Sequence, residues 1–284
     1  MDPVAMKIFD PRQHALHLQV LWIRVCTILA LVALWEFAAR SGVFYEGVIP
    51  PTWAVIVALV QELMAKDFYV DLGLTVFAAT AGFIAGSLIA LVLGILLGLR
   101  PFGRRVFEPF VTALGGTPKV IFLPIIFLVF GLGIESKIAK ASLSAFFPVV
   151  LSTTSAFVQI PKIFLLTGRS FNLSTWQMFS KVYLPAMANP VLTSLRLAMS
   201  MSIIGVLSAE IANSQGGLGF RLIRYADQFR IASVYADAIL IFATAAFMNF
   251  ALSLLQGFLG RRGQKTTAAE RAADKAALAA TSGA

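Results

Sequence analysis

An all-α protein that crosses a membrane several times is the fold class this sequence predicts, on three observations. Hydrophobic residues fill 58% of the 284 positions and charged residues only 13%, about half the charged share of a soluble domain. A soluble chain of this composition would lack the polar surface to cover itself. The apolar residues are also gathered into runs of about 20, the length that crosses the hydrocarbon of a bilayer as a helix. Finally, lysine and arginine are spread unevenly over the segments between those runs.

The candidate spans are Leu21–Ala39, Leu74–Leu99, Phe110–Phe130, Ile134–Phe157, Met187–Ala212 and Val234–Leu259. No small-residue cleavage site follows the first run, so it is read as a retained span and not as a signal peptide. Only Gly131-Leu132-Gly133 separates the third run from the fourth. Six spans place both ends of the chain on one side. Fourteen lysines and arginines then fall on that side, including Arg100, Arg104, Arg105, Lys162, Arg169 and Lys181. The opposite side has 6: Arg40, Lys66, Lys137, Arg221, Arg224 and Arg230. Lys119, Lys140 and Arg196 belong to neither set. The richer side is the cytoplasmic one. This bias and the basic tail account for the net charge of +9 without a nucleic-acid partner.

Between the first two spans, Pro50-Pro51 followed by Trp53–Met64 predicts a proline-started helix with a wide apolar stripe, lying at the interface. The second span carries Ala78, Gly82, Gly86, Ala90, Gly94 and Gly98, one small residue every four. No hydrophobic force drives helices together in lipid, so a ridge of small residues that lets backbones approach predicts a tight helix crossing. Pro118, Pro124 and Pro148 predict bends in the third and fourth spans, since each removes a backbone donor. Ser142, Ser144, Ser152, Thr153, Thr154 and Ser155 make the fourth polar on more than one face, although such hydroxyls also bond their own preceding turn.

The fifth span holds Arg196 and Glu210, charges that usually face a cavity or a partner at membrane depth. Fourteen positions separate them, about 1,400° of helix, so they lie within about 40° of one face, and Ser200 shares it. They are also about 21 Å apart along the axis and cannot pair with each other. Either they line a polar path, or Arg196 bonds an inner carbonyl while Glu210 sits near the outer interface. Gly216-Gly217-Leu218-Gly219-Phe220 is next, a glycine-rich outer turn whose spacing fails both phosphate-loop patterns. Arg221, Arg224, Asp227 and Arg230 follow, to meet a partner's acidic residues, to attract an anion or simply to be solvated.

A polar insert from Pro161 to Pro190 separates the fourth and fifth spans and is rich in aromatics: Phe171, Trp176, Phe179 and Tyr183. Leu173, Trp176, Met178, Phe179 and Val182 recur at helical spacing with Ser174, Thr175, Gln177 and Lys181 between them. Periodicity alone fits equally a helix that docks another protein and one lying flat on lipid.

Several chemistries are absent from the sequence. It has no Walker lysine loop, so it does not hydrolyse ATP by itself. The single cysteine, Cys26, allows neither an internal disulfide nor a cysteine metal site. Its two histidines, His14 and His17, precede the first span, which weighs against an intramembrane hydrolase or metalloprotease. Glu36, Glu108, Glu210 and Asp237 lie near span ends or loops, whereas proton- and sodium-coupled carriers need deeper carboxylates. Nor is an inverted repeat visible between the halves.

The 161–190 insert resembles the cytoplasmic EAA loop of the permease subunits of bacterial ABC importers. Asn172 takes that pattern's glycine position and Val182-Tyr183-Leu184-Pro185 its ending. Leu166-Thr167-Gly168 stands where Glu-Ala-Ala is expected. Asn is the mildest replacement for that glycine, because it tolerates a positive φ. Arg169 and Trp176 suit the nitrate, sulfonate and taurine branch. Further matches run in order through residues 45–256: Pro50-Pro51-Thr52, Thr117-Pro118-Lys119, Leu123-Pro124, Phe130-Gly131-Leu132-Gly133, Phe146-Phe147-Pro148, Ala209-Glu210 and Gly217-Leu218-Gly219. One departure is Ala78, where most members carry an arginine.

The resemblance implies a multi-pass permease subunit in the bacterial inner membrane, with a stand-alone channel or secondary carrier as the rival. Residues 1–20 would be a cytoplasmic segment, 21–262 the permease domain and 263–284 a flexible cytoplasmic tail. Two copies would enclose one path. Each would seat its 161–185 loop on an ATPase subunit that carries the ATP and Mg, this chain holding no cofactor. A periplasmic or lipid-anchored binding protein would deliver a small anion such as nitrate, a sulfonate or taurine. Docking falls to Arg169, Asn172, Leu173, Ser174, Trp176, Phe179, Leu184 and Pro185, with Asn172 starting a coupling helix over Phe171–Phe179. Arg196, Ser200 and Glu210 would line the path. Gly217, Leu218, Gly219, Arg221 and Arg224 would lie near the binding protein.

Overall fold

The computed structural model describes residues 11–42 and 48–281, with side chains given over 19–42 and 48–257. Residues 1–10, the side chains of His14 and His17, and those of the 263–284 tail lie outside that description. Every regular element among the described residues is helical. In order they are α1 (Pro11–Arg40), α2 (Thr52–Met64), α3 (Lys66–Leu99), α4 (Pro101–Gly116), α5 (Leu123–Phe130), α6 (Ile134–Val158), α7 (Lys162–Ser170), α8 (Thr175–Met178), α9 (Leu184–Ala212), α10 (Leu218–Asp227) and α11 (Ile231–Thr281).

Among the described residues, five helical stretches are long and apolar enough to cross a membrane: Gln19–Arg40, Lys66–Leu99, Ile134–Val158, Thr175–Ala212 and Ile231–Gly257. The expected third span is corrected. It is no straight helix over Phe110–Phe130 but two pieces, Pro101–Gly116 and Lys119–Phe130, bent by 93°. Thr117 stands just before Pro118 with φ −71 and ψ 139, the extended conformation that a following proline ring imposes. By contrast α6 runs unbroken through Pro148, so the bend expected there is not a break. The second span also starts earlier than expected, at Lys66 instead of Leu74.

The described residues form two compact units, one drawn from 11–64 and 225–236 and the other from 65–224 and 237–281. In the first, Glu36 accepts from the Thr52 amide and hydroxyl at 3.1 and 2.9 Å, holding the start of α2. The Trp35 indole donates to the Pro50 carbonyl and meets the Tyr235 ring edge-on. The Tyr225 hydroxyl donates to Glu62 at 2.8 Å. Phe229, at φ 55, ends α10 in the left-handed region, where the Arg230 amide reaches back to the Tyr225 carbonyl.

The second unit is a bundle of α3, α6 and α9 around a core that includes Ala78, Ala90, Ala141, Val149, Val150, Ala198 and Val206, all 1% exposed or less. The small-residue ridge of α3 forms the seam with α6. A β-carbon on Gly82 would collide with Ala141, on Gly86 with the Ser142 backbone, on Gly94 with Thr153 and on Gly98 with Phe157. The backbones therefore approach too closely for a β-carbon at four of the five ridge positions from Gly82 to Gly98, Ala90 being the fifth, which is how small residues hold helices together in lipid. The Ser202 hydroxyl ties α9 to the Ala79 carbonyl of α3 at 2.7 Å.

Candidate functional site

The chain presents three sites of different character, named here by the sides that the charge bias assigns. At the outer ends of α3, α6 and α9 lies a sealed polar network around Glu210, which is 1% exposed. Its carboxylate accepts from the Thr75 hydroxyl at 2.9 and 3.0 Å and from the Gly219 amide at 3.0 Å. The Lys137 ammonium lies 3.5 Å from it and donates to the Gly216 carbonyl at 2.5 Å. Thr75 in turn accepts from the Leu218 amide, and Asp71 takes the Gly217 amide at 2.7 Å and the Arg221 guanidinium at 3.2 Å. Three helices thus fasten the chain as it leaves α9 and enters α10.

Gly217 shows why the turn needs its glycines. It has φ 107, and a β-carbon there would overlap the Glu210 carboxylate. Only glycine combines that conformation with that space.

This network corrects two expectations. Glu210 does not continue a polar stripe from Arg196, because Thr75, Lys137 and the Gly219 amide close around it. Gly217, Leu218 and Gly219 are buried and Arg221 is 8% exposed, so none is displayed to an outside partner; of that set only Arg224 is exposed. The glycine turn also opens directly into the unforeseen helix α10. Lys137 had been counted merely as an outer charge, and Asp71 and Thr75 had not been singled out. Their only sequence signal is a cluster of polar residues near three span ends, and no spacing rule pairs them.

The second site is the seam between α9 and α11. Arg196 donates to Gln256 at 3.1 Å, Gln256 donates to the Leu192 carbonyl, and the Ser200 hydroxyl donates to Asn249 at 3.0 Å. Arg196 itself is exposed and Ser200 half-buried. An open hollow of about 450 Å³ beside Ser200 and Asn249 is walled by Ile203, Leu207, Ile241 and Phe242. Sequence reading did not find Gln256 or Asn249, the α11 residues that orient the other two.

The third site is the inner loop, built from two caps. Helix α7 ends in a Schellman motif: the Asn172 amide donates to Arg169 and the Leu173 amide to Gly168, with Asn172 at φ 49. Asn172 thus adopts the positive φ expected of it but ends a helix and does not start one. Leu173 is half-buried and packs on bare Gly168, 3.5 Å from where a β-carbon would stand. The next helix begins at Ser174, whose capping box with Gln177 closes through bonds of 3.0 and 3.3 Å. A π turn at Phe179–Tyr183 then leads into α9, replacing the single helix expected over Phe171–Phe179.

The loop displays apolar surface. Trp176 is 74% and Phe171 75% exposed, and the Trp176 ring stacks on Phe179 at 6.0 Å. Ile163, Phe164 and Leu166 of α7 are exposed as well, residues outside the expected set although on an amphipathic stretch. Arg169, Leu184 and Pro185 are exposed.

This helical membrane domain, with its glycine seam and capped apolar loop, is that of a transport permease. Residues 86–265 match the model of the binding-protein-dependent transport system inner membrane component family, and the chain belongs to that family. It is 24% identical to a taurine transport permease of Escherichia coli (strain K12), with 85% of this chain and 92% of the relative covered. To a formylaminopyrimidine transport permease of Halalkalibacterium halodurans it is 28% identical over 78% of this chain and 88% of the relative. A nitrate import permease of Synechocystis sp. (strain ATCC 27184 / PCC 6803 / Kazusa) is 27% identical over 68% and 72%. The fold is shared with the MetNI methionine ABC transporter in an inward-facing conformation, with a TM-score of 0.54 at 18% identity covering 72% of this chain and 95% of that one. The protein is therefore the permease subunit of an ABC importer in the bacterial inner membrane, and not a stand-alone channel or secondary carrier.

Proposed function

We propose that this permease pairs with a second copy of itself, docks its 161–185 loop on an ATPase subunit carrying ATP and Mg, and passes a small anion delivered by an external binding protein. The observation that carries the docking role is the exposed Phe171–Trp176 surface on a backbone fixed by the Asn172 turn and the Ser174 cap. Large aromatic anchors on a rigid element suit a protein groove, and holding them in place before contact lowers the ordering cost of binding. Closure of the ATPase pair would move the loop and, through the π turn, the base of α9. Arg196, exposed near the middle of α9, would add positive potential to the path.

The anionic cargo is supported by Arg196 and by likeness to permeases named for nitrate and taurine. The pyrimidine relative, at 28%, is at least as similar as the nitrate and taurine relatives at 27% and 24%, so identity at this level does not choose the cargo; the anionic reading rests on the positive charge of Arg196.

Trp176→Ala tests docking. Loss of a Trp anchor costs about 2 kcal/mol or more, roughly thirty-fold in affinity. The ATPase should then fail to co-purify, or hydrolyse ATP without transport, while the permease stays folded. An intact complex with normal uptake would return the loop to the lipid surface. For the cargo, vesicles bearing the whole importer should take up nitrate or taurine, and Arg196→Gln should slow uptake more than Arg196→Lys. Uptake of formylaminopyrimidine instead of nitrate or taurine would overturn the assignment of a cargo that carries an oxyanion group.

A further inference from the structure

The 161–185 loop is fastened to the bundle by apolar contact and not by polar bonds. Among the described residues, every side-chain hydrogen bond of the loop stays inside it: Ser170 to Leu166, Ser174 with Gln177, and Ser180 to Gln177. What joins loop and bundle is a small buried cluster separate from the main core. Phe157 and Ile160, at the inner end of α6, and Met187 of α9 are 7% exposed or less. Leu165 of α7, Phe179 and Tyr183 of the π turn and Ile95 of α3 pack against them.

Phe157 touches both sides of this joint. On one side its ring lies 5.3 Å from that of Tyr183. On the other is Gly98, the last small residue of the α3 ridge, where a β-carbon would come within 2.5–2.7 Å of the Phe157 side chain. The ring therefore has no space to retreat toward α3. Trp176, displayed by the loop, stacks on Phe179 at 6.0 Å, and Phe179 belongs to the same cluster.

Movement crosses an apolar joint only where the parts are stiff and in contact, since a loose side chain absorbs it by changing rotamer, whereas a close-packed interior transmits strain. The chain itself carries loop movement into α9. The α3–α6 pair, locked along its glycine seam, meets the π turn through Tyr183 and Phe157.

We propose that Phe157 is a positioning residue for transport: its ring, pressed by Tyr183 and backed by Gly98, passes displacement of the docked loop to the α3–α6 pair. This rests on the docking role proposed above.

The test compares ATP hydrolysis with uptake in vesicles carrying the complete importer, using whichever of nitrate, taurine and formylaminopyrimidine the parent takes up. Phe157→Met keeps an apolar side chain of similar size but exchanges a stiff ring for a flexible chain. The ATPase should still co-purify and hydrolyse ATP, while uptake per ATP falls about threefold or more. A second reading needs no cargo. An environment-sensitive label on Leu99→Cys, at the exposed inner end of α3, is placed in a Cys26→Ala background. It should respond to ATP binding in the parent and lose most of that response in Phe157→Met.

Val149→Ala controls for a merely structural role. It opens a cavity in the main core, so it should lower the unfolding temperature at least as much and leave uptake per ATP unchanged. If Phe157→Met does not assemble, Phe157→Leu provides the same readings. A parental ratio of uptake to hydrolysis and a parental label response would overturn the role of Phe157 and leave docking standing. Equal uncoupling in Val149→Ala would reduce it to lost stability, and loss of the ATPase from the Phe157→Met complex would assign the ring to shaping the docking surface; either overturns it. An intact complex with normal uptake in Trp176→Ala would overturn the docking reading and this inference together.

Discussion

The outer ends of α3, α6 and α9 and the inner loop between α6 and α9 solve opposite problems with the same local tools. At the outer end a glycine at positive φ brings backbone amides onto Glu210 and Asp71, so that charge is buried and satisfied. At the inner end an asparagine at positive φ ends α7 so that Phe171 and Trp176 are left in the open. One site spends its polar groups on closing the bundle. The other spends them on caps, and leaves apolar surface for something else to cover. Substitutions at the outer end should therefore damage the fold, and those at the inner end should damage communication with the partner.

The largest effect is expected from Glu210→Leu. It leaves the Lys137 ammonium in a buried site without its carboxylate, a loss of about 3–5 kcal/mol for a broken buried pair. The unfolding temperature of the purified permease should drop sharply. Adding Lys137→Met should restore much of it, because the two residues are coupled. Equal destabilisation in the single and double variants would mean that the ion pair contributes little to closing the outer end.

An intermediate effect is expected at Asn172. A β-branched residue at φ 49 strains the backbone by about 1–3 kcal/mol, so Asn172→Val should loosen the α7–α8 turn, while Asn172→Gly should be tolerated. Hydrogen exchange at the Asn172 and Leu173 amides would report it directly. Faster exchange spreading into the α3–α6 seam would show that the two ends are not independent.

Ser174→Ala should be the mildest. It removes one half of a capping box, worth about 1 kcal/mol, from the helix that carries Trp176. Global stability should hold while ATP-driven uptake becomes less well coupled to hydrolysis. A global loss of stability comparable with that of Glu210→Leu would erase the contrast between the ends.

The four-residue ridge in α3 was legible from spacing alone, because a helix fixes which residues share a face and only small residues permit contact that close. The positive φ of Asn172 was legible as well, from the position it takes in the family pattern. Its consequence was not: whether such a residue ends one helix or begins the next depends on which carbonyls its neighbours' amides reach, here Arg169 and Gly168. The 93° bend at Thr117–Pro118 was signalled by Pro118, yet the unbroken α6 at Pro148 carried the same signal. A proline states that a donor is missing and leaves its surroundings to decide whether the helix breaks.

The sequence by itself determined the helical membrane class, the family and the chemistry available at each end, since these follow from composition, run length and local spacing. The tertiary structure alone decided which charges meet. Glu210 lies 135 positions from Thr75 and 73 from Lys137, and Asp71 lies 150 from Arg221. No local rule relates residues so far apart. Burial in a low-dielectric bundle requires that each charge find a partner, but only the packing of α3, α6 and α9 determines which one.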